Sequence, residues 1–153
     1  MKRSTLLWMS LAAPASAWAQ VPAAQNFSQV PAAPGAWSYN AQGGVSEARF
    51  MDSSGTIRLF VRCTMANRLV TLSRTSSAPA SSLSVWTDTM ERGLAARFDP
   101  NGMRVTGALH STDRLLDAIA FSRGRVAVTM PGFPPLVLVA GPEAARVFED
   151  CRN

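Results

Sequence analysis

Beyond residue 35 the chain consists of short runs in which apolar and polar side chains alternate, divided by small clusters of Gly, Asn, Asp and Ser. Alternation with period two marks strands that bury one face, and turn signals every eight to twelve residues or so mark a meander. The first strands are predicted at Ala36–Ala41 and Val45–Met51, with Gly43-Gly44 between them. Thr56–Cys63 alternates most clearly, with Ile57, Leu59, Val61 and Cys63 on one face and Arg58, Phe60 and Arg62 on the other. Arg68–Arg74 follows a turn at Ala66-Asn67. After the polar loop Thr75–Ser82 come Leu83–Thr87, Leu94–Phe98 and Met103–Leu109, the last two split by the turn Asp99-Pro100-Asn101-Gly102. Arg125–Met130 and Leu136–Ala140 flank a hairpin loop at Pro131–Pro135.

Two segments change to helical spacing. In the first, Ser111 or Thr112 can cap, Asp113 suits the opening turn, Leu115, Leu116, Ile119 and Ala120 share a face, and Gly124 can end the helix. The second opens at Gly141-Pro142-Glu143, with Pro at the first helical position and an acid near the positive end. Its Ala144, Val147, Phe148 and Cys151 recur at i, i+3, i+4 and i+7, one face of a helix. The fold expected is mainly β: an antiparallel, sandwich-like domain over residues 36–153 with two short helices, one of them C-terminal.

This patterning places Cys63 and Cys151 inward, one on a strand and one on the last helix. They are the only two cysteines of the chain. In an oxidising compartment an even, buried pair reads as a disulfide, here closing a loop of 89 residues and worth about 4 to 5 kcal/mol as an upper bound.

The first residues supply that compartment. Met1, Lys2 and Arg3 are followed by the apolar Thr5–Ala13 and by two small-x-small sites, Ala15-Ser16-Ala17 and Ala17-Trp18-Ala19. This is the layout of a secretory signal peptide over residues 1–19, too short in its apolar part for a transmembrane helix. A periplasmic or secreted protein is expected. Residues 20–35, QVPAAQNFSQVPAAPG, carry the unit QVPAA twice, three prolines and no charge, and read as a flexible linker.

The chain has 153 residues with 15 Lys+Arg against 10 Asp+Glu, and a pI near 10.6. Removing Lys2 and Arg3 with the signal leaves 134 residues and 13 Arg against 10 acids, a formal charge of +3. The Arg residues are scattered along the sequence, which speaks against a dedicated nucleic-acid surface. A weak attraction to an anionic envelope surface is the expected consequence.

Candidate chemistry is sparse. His110, the single histidine, stands beside Ser111 and Asp113, the residue types of a hydrolytic triad. Adjacent side chains at a strand-to-helix corner diverge, however, and no GxSxG elbow is present. One His and two paired Cys leave only carboxylates for a metal, and none share a face at ligand spacing, so no metal or cofactor is expected. In Ser122-Arg123-Gly124-Arg125, Arg123 and Arg125 could clamp a carboxylate or phosphate. A helix C-terminus would equally attract Arg123 to its free carbonyls. Trp37, Tyr39 and Trp86 fit either a sugar-stacking or partner surface, or a core.

The stretch 113–153, DRLLDAIAFSRGRVAV…PLVLVAGPEAARVFEDCRN, resembles the end of small, uncharacterised secreted proteins of alphaproteobacteria. Its layout of strand, hairpin, strand and terminal helix ending in Cys is similar to that of invasion-associated locus B-type proteins and of a periplasmic type VI secretion accessory family. The resemblance implies a β-sandwich-like exported domain with no known catalytic residues. The function expected is therefore a non-enzymatic cell-envelope accessory or interaction module, partnered by an envelope protein or cell-wall component. The alternatives are a small periplasmic hydrolase using His110, or an anion- or glycan-binding module using Arg123 and Arg125.

Overall fold

A computed structural model describes residues 25–153. Nine strands and two helices follow in the order β1 (Gly35–Gln42), β2 (Val45–Asp52), β3 (Ile57–Thr64), β4 (Leu69–Thr75), β5 (Ser82–Trp86), β6 (Glu91–Asp99), β7 (Arg104–His110), α1 (Arg114–Ala120), β8 (Arg125–Thr129), β9 (Leu136–Val139) and α2 (Pro142–Arg152). The predicted signal peptide lies outside the described residues.

The turns follow from their residues. Gly43 and Gly44 both have positive φ, 61° and 76°, and make the tight β1–β2 hairpin whose twist matches its strands. At β2–β3 the Asp52 carboxylate accepts from the Ser54 and Thr56 amides at 3.0 and 3.1 Å. At β3–β4 Asn67 Oδ1 accepts from the Leu69 amide at 3.1 Å. Short side-chain acceptors thus take over the backbone donors that the turns leave free.

The strands form one antiparallel sheet, ordered β1-β2-β3-β4-β7-β6-β5-β8-β9 and curled into a half-barrel. The mainly β class, the antiparallel pairing and the two helices are as expected; two stacked sheets are not seen. The reason lies in β6. Residues 91–95 of β6 pair with β5, and residues 96–99 pair with β7. β6 changes partner at Ala95-Ala96 and carries the ladder from one half of the sheet to the other. Gly107, opposite Ala96, lies tight against β6, where a Cβ would stand 3.2 Å from Leu94 Cβ.

The concave face holds the core. Ala48 and Phe50 of β2, Leu59, Val61 and Cys63 of β3, Val70 and Leu72 of β4, and Leu83 and Val85 of β5 are all buried. α2 lies across β1–β4 and buries Ala144, Val147, Phe148 and Cys151. Its Cys151 Cα is 5.6 Å from that of Cys63, and the two are joined as a disulfide. α1 packs beside α2 and buries Leu115, Leu116 and Ile119.

One cation is enclosed in this interior. Arg74 of β4 is 4% exposed, and it crosses the concavity to donate to the carbonyl oxygens of Val128 (2.7 Å) and Pro134, tying β4 to the β8–β9 hairpin. Burial, with Arg58 adding to it, brings its pKa down to about 10, so it remains charged at neutral pH.

Candidate functional site

A curled sheet that stops short of closure keeps two edges, here β1 and β9. They differ in how they are finished. β9 has four residues. β1 has eight, GAWSYNAQ, with neither charge nor proline, in unbroken register with β2 from Gly35↔Asp52 to Gln42↔Val45. Edge strands are normally blunted by charge, proline or a bulge, because their free N–H and C=O groups template another strand. β1 carries none of these.

The two edges approach each other through Trp37. Its ring stands edge-on to Phe50 at 5.5 Å, and its Nε1 donates to the Val139 carbonyl at 3.0 Å. Gly141 is needed at this point, since a Cβ would run into the indole. On the inner side Tyr39 donates to Asp150 Oδ2 at 2.5 Å, and the Arg146 guanidinium lies 4.7 Å above its ring. The hydrogen bond to Asp150 raises the Tyr39 pKa, because the phenolate would lose it. β1 is thereby pinned to α2 from inside while its outer edge has no strand partner among the described residues.

Residues 25–34 run to this seam from the far side of the sheet. Phe27 is 5% exposed and packs on Trp86, Ala127 and Val137. Arg125 Nη1 donates to the Ser28 carbonyl at 2.7 Å. The Ala33 amide donates to the Val137 carbonyl at 2.7 Å, and the Ser53 amide to that of Pro34 at 3.3 Å. The second half of the stretch read from sequence as a flexible linker is thus a strap held on the sheet. One aromatic and five hydrogen bonds, including the Val30 amide to the Phe27 carbonyl and the Ser28 amide to Asn26 Oδ1, offset its ordering. The strap crosses the seam at Ala33-Pro34 and leaves a hollow on either side. One, of about 350 Å3, is lined by Val30, Pro31, Ser53, Pro135 and Leu136 among others. The other, of about 480 Å3, is bounded by Ala36, Trp37, Val139, Ala140, Pro142 and Glu143. Val139 in its wall is 59% exposed. The seam is an apolar groove with strand edges for banks.

The residues singled out from sequence lie elsewhere, apart from Trp37 and Tyr39 of β1. His110, at the exposed end of β7, has its Nδ1 3.0 Å from the Thr112 hydroxyl. Ser111 is buried and its hydroxyl has no partner. Asp113 caps α1, accepting from the Leu115 amide at 2.9 Å and from Arg92 at 2.8 Å. Burial alone would raise its pKa; the Arg92 and Leu115 hydrogen bonds outweigh that and lower it. His110 and Asp113 therefore engage different partners, Ser111 engages none, and no hydrogen bond links the three. The cap is Asp113 rather than Ser111 or Thr112, because Ser111 is turned inward.

Arg123 and Arg125 are held differently. α1 stops at Ala120, before Gly124, and Arg123 sits exposed in a bend. Arg125 commits one amino group to the strap. Trp86 serves as the floor for Phe27, and Trp37 belongs to the seam. Among the described residues no group of three or more His, Cys, Asp or Glu is placed to hold a metal, and no helix is long and apolar enough to cross a membrane. No family model, curated protein or solved structure matches the chain.

Proposed function

We propose that the protein is a non-enzymatic interaction module of the cell envelope that holds an extended strand of a partner polypeptide in the seam between β1 and β9. The carrying observation is the eight-residue, uncharged, proline-free edge of β1 beside an apolar groove. A strand edge offers alternating donors and acceptors at a fixed pitch, and an added β-strand satisfies both. The groove offers Ala36, Trp37 and exposed Val139 to alternate side chains of such a strand. Export, read from residues 1–19, would place the module in the periplasm or outside the cell, where a Cys63–Cys151 disulfide persists.

The test is site-specific photocrosslinking in intact cells, with the reactive side chain at Ala36, at Val139 or, as a control, at Arg114 on α1. Ala36 and Val139 should capture the same segment of the same partner, and Arg114 should not. Capture of a second copy of this chain, capture equal at all three sites, or none at Ala36 and Val139 would overturn the reading.

A further inference from the structure

Thirteen Arg follow Lys2 and Arg3, and they look scattered in sequence. Folding gathers five of them on the convex face of the central strands. Read across the sheet, one row runs Arg49–Phe60–Ser73–Thr106–Arg97 over β2, β3, β4, β7 and β6. The neighbouring row contains Glu47, Arg62, Thr71 and Ala108, and on the other flank Arg104 pairs with Asp99 and Thr75. Arg58 completes the set from β3. At about 4.8 Å per strand, four steps from β2 to β6 extend about 19 Å.

Not all of this charge is spent. Glu47 holds Arg49 and, at 3.7 Å, Arg62; Asp52 holds Arg58 at 3.5 Å. These three guanidiniums are still about half exposed, 50%, 52% and 44%. Among the described residues neither Arg97 nor Arg104 meets a carboxylate within ion-pair distance. Arg104 is stacked 4.7 Å over the Phe60 ring, and its buried Nε has no hydrogen-bond partner. At the β1 end of the same face Asn40, Gln42, Glu47, Arg49 and Arg62 surround a hollow of about 290 Å3.

We infer that this face binds a linear acidic polysaccharide, which would lie across the strands. The hollow offers amide and guanidinium donors beside a carboxylate acceptor, the mixture that pairs with sugar hydroxyls while an Arg takes an acidic group. The cations are spread over several strands, so one small anion can meet only one or two of them and a chain meets more. Nucleic acid is disfavoured because the one aromatic on these rows, Phe60, is already covered by Arg104 and offers no bare ring to a base. A membrane is disfavoured because the face is convex, and a flat lipid surface touches only its crest.

The experiment titrates the full mature chain with heparin and polygalacturonate oligosaccharides at low and physiological salt. Binding to at least one, weakening with salt, is expected. Arg49→Gln with Arg97→Gln, two exposed positions, should weaken it by at least about tenfold. Arg114→Gln with Arg123→Gln removes the same charge elsewhere and should leave it within about twofold. Equal loss in both pairs would mean bulk charge only and would overturn the inference. So would binding of neither glycan, or tighter binding to phosphatidylglycerol vesicles or a single-stranded oligonucleotide than to either glycan.

Discussion

Replacing both Cys63 and Cys151 by Ala removes the tether between β3 and α2 without leaving a buried thiol or hydroxyl. Both side chains are buried, at 0% and 1% exposure, so the substitution adds small cavities but no unpaired polar group. The larger effect is on the unfolded chain. The bridge joins residues 88 apart, and the loop-closure relation gives about 4.6 kcal/mol for that length, an upper bound. For the 129 residues of 25–153, at about 2.1 cal/mol/K each, the unfolding entropy is about 0.27 kcal/mol/K. The Tm should therefore fall by up to about 17 °C. Calorimetry of the oxidised protein, the reduced protein and the double variant reads this directly. Amide exchange should rise first along α2, a short helix resting on four buried side chains. Two free thiols in the denatured, non-reduced protein, or a Tm change under about 2 °C in both the reduced and the Ala forms, would refute the reasoning.

Arg74→Ala leaves the buried carbonyl of Val128, and that of Pro134 at the β8–β9 loop, without their donor and should cost about 2 to 4 kcal/mol in chemical denaturation. Arg74→Lys should recover only part, because one ammonium cannot reproduce the fork. Asp113→Ala should cost about 1 kcal/mol at pH 7 by loss of the α1 cap and the Arg92 bond. The Asp113 pKa is lowered in the folded state, so its stabilisation is present above the ordinary carboxylate value and is lost as pH falls through the folded one. The gap between wild type and Asp113→Ala should accordingly narrow below about pH 4, which urea unfolding at graded pH would show. His110→Ala should change stability by less than about 0.5 kcal/mol and leave crosslinking at Ala36 intact; a stably folded variant that loses its partner would restore His110 as a functional residue.

Period-two alternation made the strands legible because each buries one face; most ends move by one residue, and β6 starts three residues before the expected Leu94, at Glu91. The same logic carried Cys63 and Cys151 inward. Sheet order was not legible, since the pairings of β4 with β7 and of β5 with β8 join residues distant in sequence. The change of partner at Ala95-Ala96 leaves almost no mark in an alternating run. The strap was missed because its content is one Phe among prolines; its anchor is a slot formed by Trp86, Ala127 and Val137 from three later strands. The Arg rows were half visible, as Arg58 and Arg62 already stood opposite the apolar positions of β3. Their adjacency to Arg49, Arg97 and Arg104 exists only in the register. The seam had one local sign, the absence of charge in β1, and the sequence does not say that β1 ends the sheet.

Residue-resolved amide exchange along β1, in the free protein and in the complex trapped by crosslinking at Val139, tests the open edge most directly. Every second amide of Gly35–Gln42 should exchange fast in the free protein, where only β2 pairs with the strand, and become protected in the complex. Protection of all β1 amides in the free protein, or an unchanged pattern in the complex, would contradict a strand-binding seam.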